Sequence, residues 1–308
     1  MSIKPEDKSF FYTSARELAR LVRRKELSPV EIIKAYIRRI ETVNPMVNAF
    51  CTTTFDSAIK EAKQAELAVM KNKALGPLHG VPFSVKDLVC TKGVRTMRGS
   101  KIFESFVPQD DAPLVERLKK AGGILMGKTT TPEFGHKGMT DSPVTGITRN
   151  PWNLERIPGG SSGGAAAQVA AGMTPLAMGT DGGGSIRNPA SLTGIYGLKP
   201  TFGRVPVYPA GSFDSLSHAG PMARTVGDAA LMLSVMAGPH EADSLSLEGV
   251  PDDYQGKLKA GIRGLRIAWS PNLGYVPVLE KEVADIAAIT NGSASGELDQ
   301  DGPPIIRS

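Results

Sequence analysis

Pro158-Gly-Gly-Ser-Ser-Gly-Gly164 runs directly into Ala165-Ala-Ala-Gln-Val-Ala-Ala171, and Leu176-Ala-Met178 follows. Taken alone, the Gly/Ser run has the composition of a flexible linker. A Gly-rich loop at a helix N-terminus can also cradle phosphate, but this one lacks the Gly-Lys-Ser/Thr ending of a nucleotide loop. The residues after it argue against a linker. From Gly163 onward, Ala165 to Ala167, Val169 and Ala170 read as a helix launched from the loop, and Leu176-Ala-Met178 reads as a short strand. Core structure resumes at once, so the loop lies inside a folded domain.

Outward from this stretch, helices and short apolar strands alternate. Three helices open the chain. Ser14 and Glu17 make a capping-box pair ahead of Leu18, Leu21 and Val22. Ser28 and Glu31 make another, with Pro29 at the first helical position, where its missing N–H costs nothing. The third helix runs from about Asp56 to Met70. Val81 to Lys86 reads as a strand, Leu114 to Ala121 as a helix, and Ile124-Leu-Met126 as a buried strand after a Gly stop. Ala229 to Met236 is a further helix and Leu265-Arg-Ile-Ala-Trp269 a further strand. The pattern predicts an α/β fold with helices on both faces of a sheet. From Thr290 the chain has no hydrophobic period and is rich in turn formers, and a helix starting near Glu280 (Val283, Ile286, Ala287) is cut short. A disordered tail and an early stop of the chain both fit.

Composition excludes several classes of function. With 41% hydrophobic and 22% charged residues, the 308-residue chain has ordinary globular usage and no apolar run of membrane length. No membrane partner is expected. Met1 to Lys8 is polar and carries no secretory core. Two cysteines, Cys51 and Cys90, make no disulfide framework, which points to the cytoplasm. His79, His136, His218 and His240 are scattered without ligand spacing, so no metal is expected, and no motif calls for another cofactor. The net charge of +5 gathers near the N-terminus, at Arg16, Arg20, Arg23, Arg24, Lys25, Lys34, Arg38 and Arg39. No aromatic residues interleave with them, so a solvated helix face is expected and not a nucleic-acid surface.

Three segments carry chemistry. Gly80-Val-Pro-Phe-Ser-Val-Lys-Asp87 ends an apolar run on Lys86, the Gly/Ser loop holds Ser161 and Ser162, and Gly179-Thr-Asp-Gly-Gly-Gly-Ser185 closes a glycine turn on Ser185. A serine hydroxyl needs a base, and no histidine lies near these motifs. Lysine serves if burial lowers its pKa. Asp87 would oppose that, but neighbouring strand residues point to opposite faces. Gly182, Gly183 and Gly184 let backbone N–H groups converge, as an oxyanion requires. Ser185 follows them directly. Asp181 and Arg187 are expected to form a structural ion pair that fixes the turn.

These residues carry a resemblance. Pro158 to Ala167, Gly179 to Arg187 and Gly197-Leu-Lys-Pro-Thr-Phe-Gly-Arg-Val205 resemble the amidase signature family, as do Gly80 to Asp87, Thr131-Pro-Glu-Phe-Gly135 and Gly220-Pro-Met-Ala-Arg-Thr-Val226. The likeness runs from about residue 12 to about 287. It implies a mixed β-sheet core covered by helices on both faces. It also implies that Ser185 is the nucleophile, Ser161 the bridging serine on a cis peptide bond, and Lys86 the base. Ser162 and Thr180 then add hydrogen bonds around the relay, and the N–H groups of Gly182, Gly183, Gly184 and Ser185 hold the oxyanion. The implied reaction is hydrolysis of a small-molecule carboxamide through an acyl-enzyme, without a cofactor. Within the family, the glutaminase component of a tRNA-dependent amidotransferase is the alternative, although Thr130 to His136 looks more like stand-alone amidases.

The family usually carries a bulkier residue where Gly182 stands, and its members continue well past residue 287. The expected organisation is an N-terminal helical segment at 1–75, an α/β core at 76–287 that is incomplete at its C-terminal end, and a disordered or non-native tail at 288–308. An inactive fragment or binding module is the reading from another class. An open edge would favour a homodimer.

Overall fold

The structure is a computed structural model that describes residues 7–211, 214–261, 270, 274–275, 277 and 280–285. Two compact units divide the chain, one running through Leu258 and one beginning at Lys259. In the second, residues 281–285 form a helical turn, which covers the start of the helix expected near Glu280. The expected strand at Leu265 to Trp269, the positions Ile286 and Ala287, and the tail at 288–308 lie outside the described residues.

The first unit begins with α1 (Ala15–Arg23) and α2 (Pro29–Val47). Ser28 forms the full capping box with Glu31. The other box is only half made: Ser14 accepts from the Glu17 N–H, but the Glu17 carboxylate turns to Arg20 at 2.7 and 2.6 Å. A charged fork outcompetes a neutral backbone donor for that carboxylate. The chain continues through β1 (Phe50–Thr53), α3 (Phe55–Met70), β2 (Pro82–Lys86), α4 (Pro113–Lys120), β3 (Ile124–Thr129) and a small ribbon of β4 (Asp141–Ser142) with β5 (Gly146–Ile147). It ends with α5 (Gly163–Ala170), β6 (Leu176–Asp181), α6 (Arg187–Thr193), β7 (Tyr196–Gly197), β8 (His218–Ala223) and α7 (Val226–Met236).

Six strands make one mixed sheet in the order β1-β3-β2-β6-β8-β7. The central β3, β2 and β6 are parallel, and β1, β8 and β7 add antiparallel pairs outside them. One apolar cluster joins α1 to α4 and α7 to the sheet through residues such as Leu18, Ile32, Tyr36, Phe83, Leu118 and Met232. A smaller cluster on the other face packs Ala165, Val169, Ile186 and Ala190 against Ala177 and Met222. No described helix is long and apolar enough to cross a membrane.

The connectivity positions a crevice. After β2 the chain moves to β3 on one side, then returns to lay β6 on the other side of β2. A ligand site in a parallel sheet lies at such a reversal, outside the carboxyl ends of the strands. Lys86 is the last residue of β2, and Thr180 and Asp181 end β6.

Candidate active site

Lys86 is fully buried. Its Nζ stands 2.6 Å from Ser161 Oγ, 3.0 Å from Ser162 Oγ and 2.9 Å from Thr180 Oγ1. Burial pushes the amine well below its ordinary value, and the carboxylate that opposes this is Asp181. Asp87 faces elsewhere and accepts from the Met97 N–H at 3.1 Å. A neutral amine has two N–H donors and one lone pair. Ser162 Oγ already donates to the Thr180 carbonyl at 3.0 Å, so it accepts from Lys86. With Thr180 taking the second N–H, the lone pair faces the hydroxyl of Ser161.

The Gly/Ser loop is held from several sides. Gly160–Ser161 is a cis peptide. Ser162 donates its N–H to the Ser185 carbonyl at 3.1 Å, which joins this loop to the glycine turn. Thr140 Oγ1 accepts from Gly163 N and donates to the Gly159 carbonyl, at 3.0 and 2.9 Å. A Cβ on Gly164 would lie 2.2 Å from Thr130 Oγ1, so the helix start packs against the end of β3 only as glycine.

Asp181 and Arg187 pair as expected, through Nε and Nη2 at 3.0 Å each. The same carboxylate accepts from the N–H groups of Gly184 at 2.7 Å and Ile186 at 3.1 Å. Burial alone would raise its pKa. The Arg187 fork and these amides outweigh burial and hold the carboxyl well below the usual range. Of the three glycine donors expected for an oxyanion, the Gly184 N–H is therefore engaged by Asp181 in this structure. Among the described bonds, the N–H groups of Gly182, Gly183 and Ser185 have no acceptor, and these residues line the cavity.

Gly184 needs its left-handed φ of 113°, whereas Gly182 holds a backbone angle open to any residue. A Cβ on Gly182 would meet only the Leu216 carbonyl, at 3.8 Å. Gly184→Ala is therefore expected to cost about 1–3 kcal/mol of stability, and Gly182→Ala to change it by under about 1 kcal/mol. Denaturant midpoints check this, and equal losses would refute the assignment.

Ser185 is half-buried. It lines a cavity of about 490 Å³ together with Ser161, Thr180 and the glycine turn. The structure thus brings Lys86, Ser161, Ser162 and Thr180 into one bonded group and sets Ser185 at the same cavity. Among the described bonds, Ser161 Oγ and Ser185 Oγ are not joined; such contacts tighten only as reaction proceeds. His218 lines the cavity with Nδ1 against the Asp181 and Leu216 carbonyls at 3.1 and 2.8 Å and its ring in a T-shaped contact with Phe202. Among the described residues no group of three potential ligands could hold a metal ion.

Sequence reasoning missed a second buried lysine. Lys128 pairs in register with Val85, so it shares the face opposite Lys86. Its Nζ donates to the Val89 carbonyl, to Thr91 Oγ1 at 2.9 Å and to Thr96 Oγ1 at 3.0 Å. Burial pushes it down to about 8 against the pull of Asp87, and pushes Asp87 up to about 6 against the pull of Lys128. The lysine braces the segment that carries Val89 and Cys90 into the cavity wall. Lys128→Met strands three acceptors and is expected to cost about 2–4 kcal/mol. A shift under about 0.5 kcal/mol in urea unfolding, the size of an ordinary surface change, would contradict that role. The available signal was a lysine in the otherwise apolar Ile124-Leu-Met-Gly-Lys128.

Comparison with known proteins identifies the family. The family model described as Amidase matches residues 31–290. The chain is 46% identical over 269 residues to an acylamidase of Rhodococcus erythropolis, covering 87% of this chain and 56% of that one. It is also 46% identical over 258 residues to the A subunit of the glutamyl-tRNA(Gln) amidotransferase of Carboxydothermus hydrogenoformans, with 83% and 53% covered. Among solved structures, a bacterial aryl acylamidase of the amidase signature family matches with a TM-score of 0.84 at 36% identity, over 91% of this chain and 58% of that one. A peptide amidase from Stenotrophomonas maltophilia matches with a TM-score of 0.81 at 34% identity, over 91% and 59%. The chain spans a little over half the length of these relatives. On this likeness of sequence and fold, the chain belongs to the amidase signature family.

Proposed function

We propose that this chain hydrolyses carboxamide C–N bonds through an acyl-enzyme on Ser185. The observation that carries the proposal is the fully buried Lys86, its pKa pushed well down by burial, with Nζ 2.6 Å from Oγ of Ser161, which lines the same cavity as Ser185. Ser185 Oγ attacks the carbonyl carbon while its proton passes to Ser161 and the Ser161 proton passes to Lys86. The N–H groups of Gly182, Gly183 and Ser185 stabilise the oxyanion, and each donor is worth about 3–4 kcal/mol of barrier. Collapse breaks the C–N bond, and the relay returns a proton to the leaving amine. Water then attacks the ester, its proton follows the same path, and the acid leaves as Ser185 is reprotonated. The free thiols Cys51 and Cys90 support a reducing, cytoplasmic setting.

A fluorophosphonate tests the reading. It is expected to add one phosphonyl group to wild type, mapped to the peptide holding Ser185, and none to Ser185→Ala. A folded wild-type chain that takes no label would refute it. The equal identity to the amidotransferase relative keeps glutamine as a second substrate reading. Ammonia release from glutamine that requires added partner proteins and tRNA would favour it.

A further inference from the structure

Arg98 lies in the wall of the same cavity. Its guanidinium carbon sits 4.8 Å from the centre of the Phe103 ring and 5.6 Å from that of Phe106. One terminal nitrogen, Nη2, stands 3.6 Å from Cys90 Sγ, a weak acceptor. Nε is buried and has no hydrogen-bond partner. Among the described residues no carboxylate lies within ion-pair distance of Arg98. The wall's Lys137 is paired with Asp141 at 2.8 Å, and its Asp181 is paired with Arg187 at 3.0 Å. Arg98 is thus the lining lysine or arginine left without a carboxylate among the described residues.

The backbone fixes where this group is offered. Arg98 is left-handed at φ 53° and Phe134 at φ 50°. The two are joined by the Phe134 N–H donating to the Arg98 carbonyl at 2.9 Å. Non-glycine residues enter this region rarely, and such outliers gather at ligand clamps. The neighbouring Gly135 lies against the relay, since a Cβ there would be 3.3 Å from Ser161 Oγ. Arg98 is therefore tied to the loop that flanks Ser161. A guanidinium that lies against the rings of Phe103 and Phe106 and whose Nε is shut in offers its terminal nitrogens as a planar fork that matches a carboxylate.

We propose that Arg98 selects amides that carry a carboxylate away from the scissile bond, with its two terminal nitrogens donating to the carboxylate's two oxygens. This rests on the amidase reading. The carboxylate can sit on the acyl side or the amine side, and two matched series separate these. The first sets succinamate, glutaramate and adipamate against butanamide, pentanamide and hexanamide. The second sets 4-acetamidobenzoate against acetanilide.

The readout is the ratio of kcat/KM for acid over neutral partner. Arg98→Met is expected to lower that ratio about 10- to 100-fold in the series that reaches the fork, the loss typical of a hydrogen bond to a charged group. Arg98→Lys is expected to retain part of it as a point charge and keeps the test alive if the methionine variant misfolds. Unchanged ratios in both series overturn the proposal. Binding provides a second readout without turnover. Ser185→Ala is titrated calorimetrically with glutarate and 4-acetamidobenzoate against pentanamide and acetanilide. Tighter binding of the acids, lost on adding Arg98→Met, supports the proposal, and equal binding overturns it. Turnover of neutral amides with no charge preference defeats the Arg98 assignment alone. Acid binding without any turnover or phosphonate labelling defeats the amidase reading and leaves the Arg98 site standing.

Discussion

On the proposed mechanism, Ser185→Ala is expected to lower kcat for amide hydrolysis by about 10⁴-fold or more while the unfolding midpoint stays put. The first half follows from the chemistry. Deleting the nucleophile leaves only binding and oxyanion stabilisation, and in a comparable relay that removes roughly 10⁶ of rate. The second half follows from the site. Ser185 Oγ makes no described hydrogen bond, and the residue's structural role runs through its carbonyl, which alanine keeps. Removing a half-buried hydroxyl of this kind changes stability by about 0.5 kcal/mol or less. The measurement is kcat on an amide that wild type cleaves, alongside thermal unfolding of both proteins. Residual turnover within tenfold of wild type would remove Ser185 from the mechanism.

The glycine turn could be read in sequence only in part. Three consecutive glycines announce convergent donors, but they do not say which donor is already taken. That depends on where the Asp181 carboxylate points, and Arg187 decides it from six residues away. Lys86 was legible because an apolar strand that buries a lysine is a local signal. The Gly/Ser loop reads alone as a linker, and only the helix and strand after it and the family resemblance gave Ser161 and Ser162 their roles. Thr140, Asn188 and Lys128 were not legible, since each acts across a gap in sequence. Asn188, for instance, accepts from Gly160 N at 3.4 Å.

The sheet divides the same way. The strands β2, β3 and β6 are short apolar runs and stood out. β8 did not, because Gly220 and Pro221 are strand breakers. The structure tolerates both for separate reasons. A Cβ on Gly220 would lie 2.1 Å from the Leu198 carbonyl, so glycine admits that crossing. The Pro221 carbonyl accepts from Leu198 N at 3.1 Å, on the β7 side of the strand. The N–H and C=O of one strand residue point the same way, so the missing donor of Pro221 faces the two-residue β7 and spares the long ladder with β6. Tertiary pairing here overrides a local signal that reads as a turn.

Lys86→Met links catalysis to stability with opposite signs. It removes the proposed base, so kcat is expected to fall by about 10⁴-fold or more. It also removes a buried amine whose pKa burial pushes well below its ordinary value. An unfolded lysine titrates near 10.5, whereas the folded one titrates well below that. Between these two values the unfolded state binds the extra proton, so wild-type stability rises with pH across that window and is flat below it. Methionine has nothing to titrate there. The stability of wild type relative to Lys86→Met is therefore expected to improve by about 1.4 kcal/mol per pH unit within the window. Wild-type kcat/KM rises through the lower edge of the same window as Lys86 loses its proton. Urea unfolding of both proteins from pH 6 to 10, set beside the wild-type rate profile, reads the two effects together. A constant stability difference across that range would mean that Lys86 stays charged in the fold, and a charged Lys86 cannot take the proton of Ser161.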